Sequence, residues 1–158
     1  MPVIYMAPLQ GITDEIYRNL FAAYFQGVDL AVMPFISSTK KIKKPPALLA
    51  GYHPDRNRGI YAIPQLMSAC AEDFVWLANE LYDMGHTVVN LNLGCPFPMV
   101  VRKGRGAGML CHPDRIGDFL REALPVLKPA LSVKLRLGVK SPQDILEVIG
   151  VCNCFALE

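Results

Sequence analysis

An α/β fold built on parallel strands is the architecture this sequence predicts. Short apolar segments with strand periodicity alternate with longer segments whose apolar residues recur every three to four positions. Polar residues also gather where the predicted strands end, at Pro8 and Gln10, Gln65, Asn90 to Cys95, and Lys134 with Arg136. Strand and helix in repeated alternation imply parallel pairing through right-handed crossovers. The C-terminal strand ends then share one face, where such folds build their sites. About five βα units can be traced in this way.

The first strand is Val3-Ile4-Tyr5-Met6, ended by Ala7-Pro8. Thr13 can cap a helix whose apolar positions Ile16, Tyr17, Leu20, Phe21 and Tyr24 follow the helical period. Leu30-Ala31-Val32-Met33 reads as the second strand. A connection rich in lysine and proline follows, with Lys40, Lys41, Lys43 and Lys44 clustered in it. Ile60-Tyr61-Ala62-Ile63 leads to Gln65 as the third strand. Phe74, Leu77, Ala78, Leu81 and Tyr82 mark an amphipathic helix that stops near Gly85. Thr87 to Leu93 is the fourth strand. Ile116, Phe119, Leu120, Ala123, Leu124 and Leu127 form the next helical stripe, with Pro113 suited to its first turn. Leu131 to Leu137 is the fifth strand. Ser141-Pro142-Gln143-Asp144 then opens a last helix as cap, first-turn proline and first-turn acid.

At 158 residues with 52% hydrophobic and 19% charged composition, the chain is long enough for one domain with a substantial core and is not disordered. No apolar run reaches the roughly 18 residues a membrane span needs. No basic leader or cleavage site precedes Tyr5, so a cytoplasmic protein is expected. The five cysteines are odd in number and lack zinc-type pairing, so they read as free thiols. Cys70, Cys111, Cys152 and Cys154 are expected to be small buried hydrophobes. His53, His86 and His112 sit on predicted turns without metal-ligand spacing, and no metal site is expected. The net charge of +2 does not itself require a nucleic-acid partner.

The chemistry concentrates in Asn90-Leu91-Asn92-Leu93-Gly94-Cys95-Pro96. Alternation by two puts Asn90 and Asn92 on one face of a strand and Val89, Leu91 and Leu93 on the other. Polar side chains there are costly without partners or a ligand. Cys95, held between glycine and proline just past the strand, stands where a reacting group belongs. Lys134 and Arg136 alternate with Val133, Leu135 and Leu137, so both charges are expected on one face. Two buried cations beside two asparagines call for an anionic or carbonyl-rich ligand.

Strand, Asn-x-Gly-Cys-Pro, and then the basic glycine-rich Arg102-Lys103-Gly104-Arg105-Gly106 resemble the tRNA-dihydrouridine synthases. Met6-Ala7-Pro8-Leu9-Gln10-Gly11-Ile12-Thr13-Asp14, Gln65-Leu66 and Val133-Lys134-Leu135-Arg136-Leu137-Gly138 match in order, and the resemblance spans residues 3–150. It implies the N-terminal part of a (β/α)8 barrel, a TIM barrel that typically needs about 250 residues. Three further βα units and a helical tRNA-binding domain would then be absent, and the chain reads as truncated. The implied reaction reduces uridine to 5,6-dihydrouridine in tRNA. Reduced FMN, recharged by NADPH or NADH, passes a hydride to C6, and Cys95 protonates C5.

The resemblance also distributes roles. Ala7, Pro8, Leu9, Gln10, Gln65, Asn92 and Lys134 would hold FMN, with Lys134 near the N1–C2 edge of the ring. Asn90, Lys103, Arg105 and Arg136 would face the substrate, and the glycine-rich loop would be the mobile segment beside Cys95. Read alone, that loop could also be a phosphate cradle. Leu9-Gln10 stands where family members often carry Met-Glu, and Arg105 where small residues are common. Two rival readings remain: another FMN barrel oxidoreductase acting on a small molecule, and a catalytically silent fragment that self-associates. Open strand edges would favour a homo-oligomer with weak FMN binding.

Overall fold

The computed structural model describes residues 3–38 and 49–158. The Lys40, Lys41, Lys43 and Lys44 cluster lies outside the described residues. The strands are β1 (Tyr5–Met6), β2 (Leu30–Val32), β3 (Ile36–Ser37), β4 (Tyr61–Ile63), β5 (Gln65–Met67), β6 (Val88–Asn92) and β7 (Ala130–Lys134). The helices are α1 (Glu15–Tyr24), α2 (Ala71–Asp83), α3 (Pro98–Arg102), α4 (Pro113–Ala123) and α5 (Asp144–Cys152). Every strand pair is parallel, so the α/β class expected from the alternation is the one observed.

The strands form two sheets, β1-β2-β4 and β3-β5-β6-β7. They meet because two runs of chain contribute a strand to each. Pro64 alone separates β4 from β5; it has no N–H to give the ladder, yet its carbonyl accepts the Asn90 N–H at 2.9 Å. Between the pairs Val32–Ile63 and Ile36–Leu66, the three residues Met33-Pro34-Phe35 oppose the two residues Pro64-Gln65. That one-residue excess is a bulge. Followed across both sheets, the strand order is the order of the chain: β1, β2 with β3, β4 with β5, β6, β7. On the outer edge of β7, the Glu158 N–H donates to the Leu131 carbonyl at 2.9 Å.

One face of the larger sheet carries the core. Leu66, Val89, Leu91 and Leu131 meet Phe74, Leu77, Ala78 and Leu81 of α2, Ile116, Phe119 and Leu120 of α4, and Val148 of α5. Phe74 and Phe119 pack edge to face with centroids 5.3 Å apart, the favoured aromatic geometry. A smaller cluster of Ala31, Met33, Ile60 and Ala62 lies under Met6, Ala22 and Val28, and Tyr52 packs against both clusters. The opposite face of the sheet, set by alternation, carries Gln65, Met67, Asn90, Asn92, Ser132 and Lys134.

Several boundaries differ from expectation for local reasons. Asp14, not Thr13, caps α1, its carboxylate accepting the Tyr17 N–H at 2.8 Å. Thr13 is instead committed to Leu9. The fifth strand stops at Lys134 and does not reach Leu137. The last helix begins at Asp144, with Ser141 in the turn before it, where its N–H meets the Asp144 carboxylate. The stripe from Ile116 to Leu127 is α4 as far as Ala123, then a 3₁₀ turn over Leu124–Val126 forced by Pro125. Of the four cysteines expected to be buried, only Cys152 is; Cys70, Cys111 and Cys154 are exposed. Burial pushes the Cys152 thiol up from its ordinary value.

Candidate active site

Parallel register sets Gln65 opposite Asn90, Asn90 opposite Ser132, and Asn92 opposite Lys134. Because these residues share one face, their side chains join. Gln65 Nε2 donates to Asn90 Oδ1 at 2.6 Å, and Asn90 Nδ2 donates to Ser132 Oγ at 2.8 Å. Ser132 in turn donates to the Val89 carbonyl at 3.3 Å. Asn92 Nδ2 donates to Gln65 Oε1 at 2.7 Å. Gln65, Asn90 and Asn92 are all buried. A buried amide is tolerated when its partners are present, and here the partners are the other amides.

The ladder ends on the cysteine turn. Asn92 Oδ1 accepts the Gly94 N–H at 3.0 Å and the Cys95 N–H at 2.9 Å, which fixes Cys95 to the end of β6. From the other side, the Cys95 carbonyl accepts the Ala107 N–H at 3.0 Å. Gly106 has φ +53°, and a Cβ there would stand 2.9 Å from that same carbonyl. At Gly108 a Cβ would meet the Val101 carbonyl at 2.6 Å. These glycines exist so that two stretches of backbone can touch. Gly106 through Met109 is buried, so the segment packs under Cys95 and does not open as a phosphate cradle.

Cys95 and the ladder border a pocket of about 240 Å³, walled also by Pro8, Leu9, Gln10, Phe35, Gly94, Pro96 and Lys134. Of the residues expected from sequence, this gathers Pro8, Leu9, Gln10, Gln65, Asn92, Cys95 and Lys134. Ala7 and Asn90 line a neighbouring pocket of about 290 Å³ with Tyr5, Val32, Ser132, Val133, Lys134 and Glu158. Lys103, Arg105 and Arg136 line neither pocket. Arg136 is exposed beyond the end of β7, and Lys134 is half-buried. The expected pair of buried cations is therefore absent, because the strand ends before the second of them. The Lys134 ammonium makes no hydrogen bond or ion pair among the described residues, while the Lys134 carbonyl accepts the Leu93 N–H at 3.0 Å. No group of three or more histidine, cysteine or acidic residues there could hold a metal ion.

Sequence reasoning missed Ser132 and Phe35. Ser132 was within reach, since it precedes Lys134 by two on the same strand. Phe35 lies in the bulge, which exists only relative to its partner strand and leaves no mark in local periodicity.

Comparison with known proteins shows the family of the chain. The sequence model of the family described as Dihydrouridine synthase (Dus) matches residues 5–154. The tRNA-dihydrouridine(16) synthase of Neisseria meningitidis serogroup A is 32% identical, covering 98% of this chain and 47% of that protein. The tRNA-dihydrouridine synthase B of Pasteurella multocida is 27% identical, over 95% of this chain and 45% of its own length. A tRNA-dihydrouridine(47) synthase [NAD(P)(+)]-like protein of Xenopus tropicalis is 29% identical, over 90% and 22%. The chain spans less than half the length of these relatives.

Proposed function

We propose a flavin-dependent, uridine-reducing site for this chain, which belongs to the dihydrouridine synthase family. The observation that carries the reading is the convergence of a thiol, an ammonium without a partner among the described residues, and an amide ladder on one pocket beside the C-terminal ends of β6 and β7. The fold is then read as five sequential units of a (β/α)8 barrel, whose sites lie at that end.

The residues fit FMN. Pro8, Leu9, Phe35 and Pro96 offer apolar surface to a flat ring. Gln65 and Asn92 each spend one amide N–H on the ladder, which leaves the other for a ring carbonyl or nitrogen. The Lys134 ammonium, with no partner among the described residues, would face the part of the ring that becomes negative on reduction. A pocket of about 240 Å³ lies below the roughly 300–1,000 Å³ usual for small-molecule sites. The described residues would thus enclose the ring portion of the cofactor. When bound, FMN supplies hydride chemistry, renewed by NADPH or NADH.

The chain's own part is to position and protonate. Cys95 Sγ would give its proton to C5 of a uridine in tRNA, with the backbone of its turn held by the Gly94 and Cys95 N–H groups donating to Asn92 Oδ1. Gln10 would support the ring from within the pocket, Ala7 from the adjoining wall, and Asn90 would face the substrate. Lys103, Arg105 and Arg136 would meet RNA phosphates outside the pocket, in a cytoplasmic setting. In a preparation that reduces uridine, Cys95→Ala should lower dihydrouridine formation about 10²–10⁴-fold, the contribution of a positioned acid. Flavin affinity should stay unchanged. A variant that keeps turnover would overturn the assignment.

Self-association is the second part of the proposal. The outward face of α1 leaves Ile16, Leu20 and Tyr24 exposed, and β1 pairs with β2 on one side and, among the described residues, with no strand on the other. A second copy of the chain would cover that edge and face. Sedimentation velocity should show a species of at least two chains, and a stable monomer binding one FMN per chain would defeat this.

A further inference from the structure

Arg18 is 2% exposed, yet among the described residues it makes no ion pair with a carboxylate. One guanidinium nitrogen (NH1) donates to the Thr13 carbonyl at 2.6 Å. Nε and the other nitrogen (NH2) donate to Asn57 Oδ1 at 2.9 and 2.6 Å. Asn57 Nδ2 is tied in turn to the His53 carbonyl at 3.2 Å. Burial lowers the guanidinium pKa, opposed by Tyr52, Asp14 and Glu15 nearby. Burying a cation against neutral acceptors is costly, and an apolar side chain would fill the same space at lower cost. What an apolar side chain cannot do is hold Thr13.

Thr13 passes the constraint to the pocket. Its hydroxyl accepts the Leu9 N–H at 2.9 Å and donates to the Leu9 carbonyl at 3.3 Å. That carbonyl also accepts the N–H groups of Ile12 and Thr13, both at 3.0 Å. The turn closes through Gly11, whose φ of +78° suits glycine. Pro8, Leu9 and Gln10, at the near end of this turn, line the same pocket as Cys95 and Lys134. We infer that Arg18 is a positioning residue: through Thr13 it fixes the Pro8–Gln10 wall and so sets the width of the pocket. The inference rests on the flavin reading only for its ligand arm.

The test uses the whole chain with Arg18→Met, Arg18→Lys and Thr13→Val, read by amide hydrogen exchange without ligand and by FMN titration. Arg18→Met should speed exchange at Leu9, Ile12 and Thr13 by about tenfold or more, as loss of a local constraint does. The Leu91, Asn92 and Cys95 amides should keep their protection. Thr13→Val should reproduce the effect at Leu9, and Arg18→Lys, which keeps a donor for one acceptor, should restore part of it. Where the wild type quenches FMN fluorescence, Arg18→Met should weaken binding about tenfold. Uniform acceleration through β6 would show a merely structural arginine, and unchanged Leu9 protection would show no strut; either overturns the inference. So does FMN affinity unaltered by a loosened wall. If Arg18→Met does not fold, Thr13→Val and Arg18→Lys decide. If the wild type shows no quench, the flavin reading falls, and the exchange pattern alone upholds or overturns the strut.

Discussion

Helices α1 and α2 are both amphipathic and both follow a strand, yet they are used in opposite ways. Helix α2 buries Phe74, Leu77, Ala78 and Leu81 against the sheet and against α4. Helix α1 buries only Arg18, and leaves Leu20 54% and Tyr24 78% exposed. Tyr17, Phe21 and Phe25 of that region stack on one another, with centroids 6.2 and 5.0 Å apart. A helical period announces that an apolar face exists; it does not say what the face will meet. The α2 region is closed by its own sequence neighbours, whereas the α1 region holds its site loop by hydrogen bonds and keeps its apolar stripe unpartnered among the described residues.

The sharpest way to break that comparison is truncation of one large side chain in each helix. Phe74→Ala should cost about 3–5 kcal/mol, since Phe74 is fully buried and packs edge to face on Phe119. Leu20→Ala should change the stability of the dissociated chain by no more than about 0.5 kcal/mol. Urea midpoints at low protein concentration measure both. A Leu20→Ala loss that approaches the Phe74→Ala loss, and that grows with protein concentration, would locate the missing contact of α1 in a second copy.

A smaller effect is expected on the polar face of the sheet. Gln65→Leu keeps the volume but strands Asn90 Oδ1 and Asn92 Nδ2, each deprived of its partner. A buried amide left without its bond costs about 1–3 kcal/mol. Thermal melts should register that loss without FMN, so the ladder's structural role separates from its role toward a ligand. An unchanged melting temperature would mean water or a rotated Asn90 takes the place of the amide.

Much of this site was legible in the chain because its cause is local. Period two put Asn90 and Asn92 together, and the structure brings them to one face with Gln65 and Lys134, although Gln65 opens β5 where the end of a strand was expected. The reason assigned to them was only partly right. The amides satisfy one another through register, a property of strand pairs that no single segment encodes. The paired cations failed on a boundary: a strand extended to Leu137 would have turned Arg136 inward, but β7 ends at Lys134. Nothing in the local sequence marks Arg18, because an arginine on an amphipathic helix is ordinarily solvated. Only tertiary contact with Asn57, 39 residues away, reveals its burial.

The smallest expected effect lies at the seam between the two regions. His86, just after α2, is buried, and its Nε2 stands 2.6 Å from the Tyr52 carbonyl. The Tyr52 hydroxyl reaches the Pro34 carbonyl at 2.8 Å, inside the bulge. Burial lowers the His86 pKa from 6.5; the Tyr52 carbonyl opposes that shift and His53 adds to it. The unfolded chain therefore takes up the proton first as pH falls. Stability is fully present above about pH 6.5 and declines as pH drops from there toward the depressed folded-state pKa. Arg18, Tyr52 and Cys152 also carry shifts, but groups of these types ordinarily titrate in the alkaline range. His86→Gln, which can still donate to the Tyr52 carbonyl and does not titrate, should flatten the stability difference between pH 7.5 and 5.5 (on the order of the His switch range). If the pH dependence persists unchanged in that variant, the seam does not titrate, and the coupling of the two regions lies in packing around Tyr52 alone.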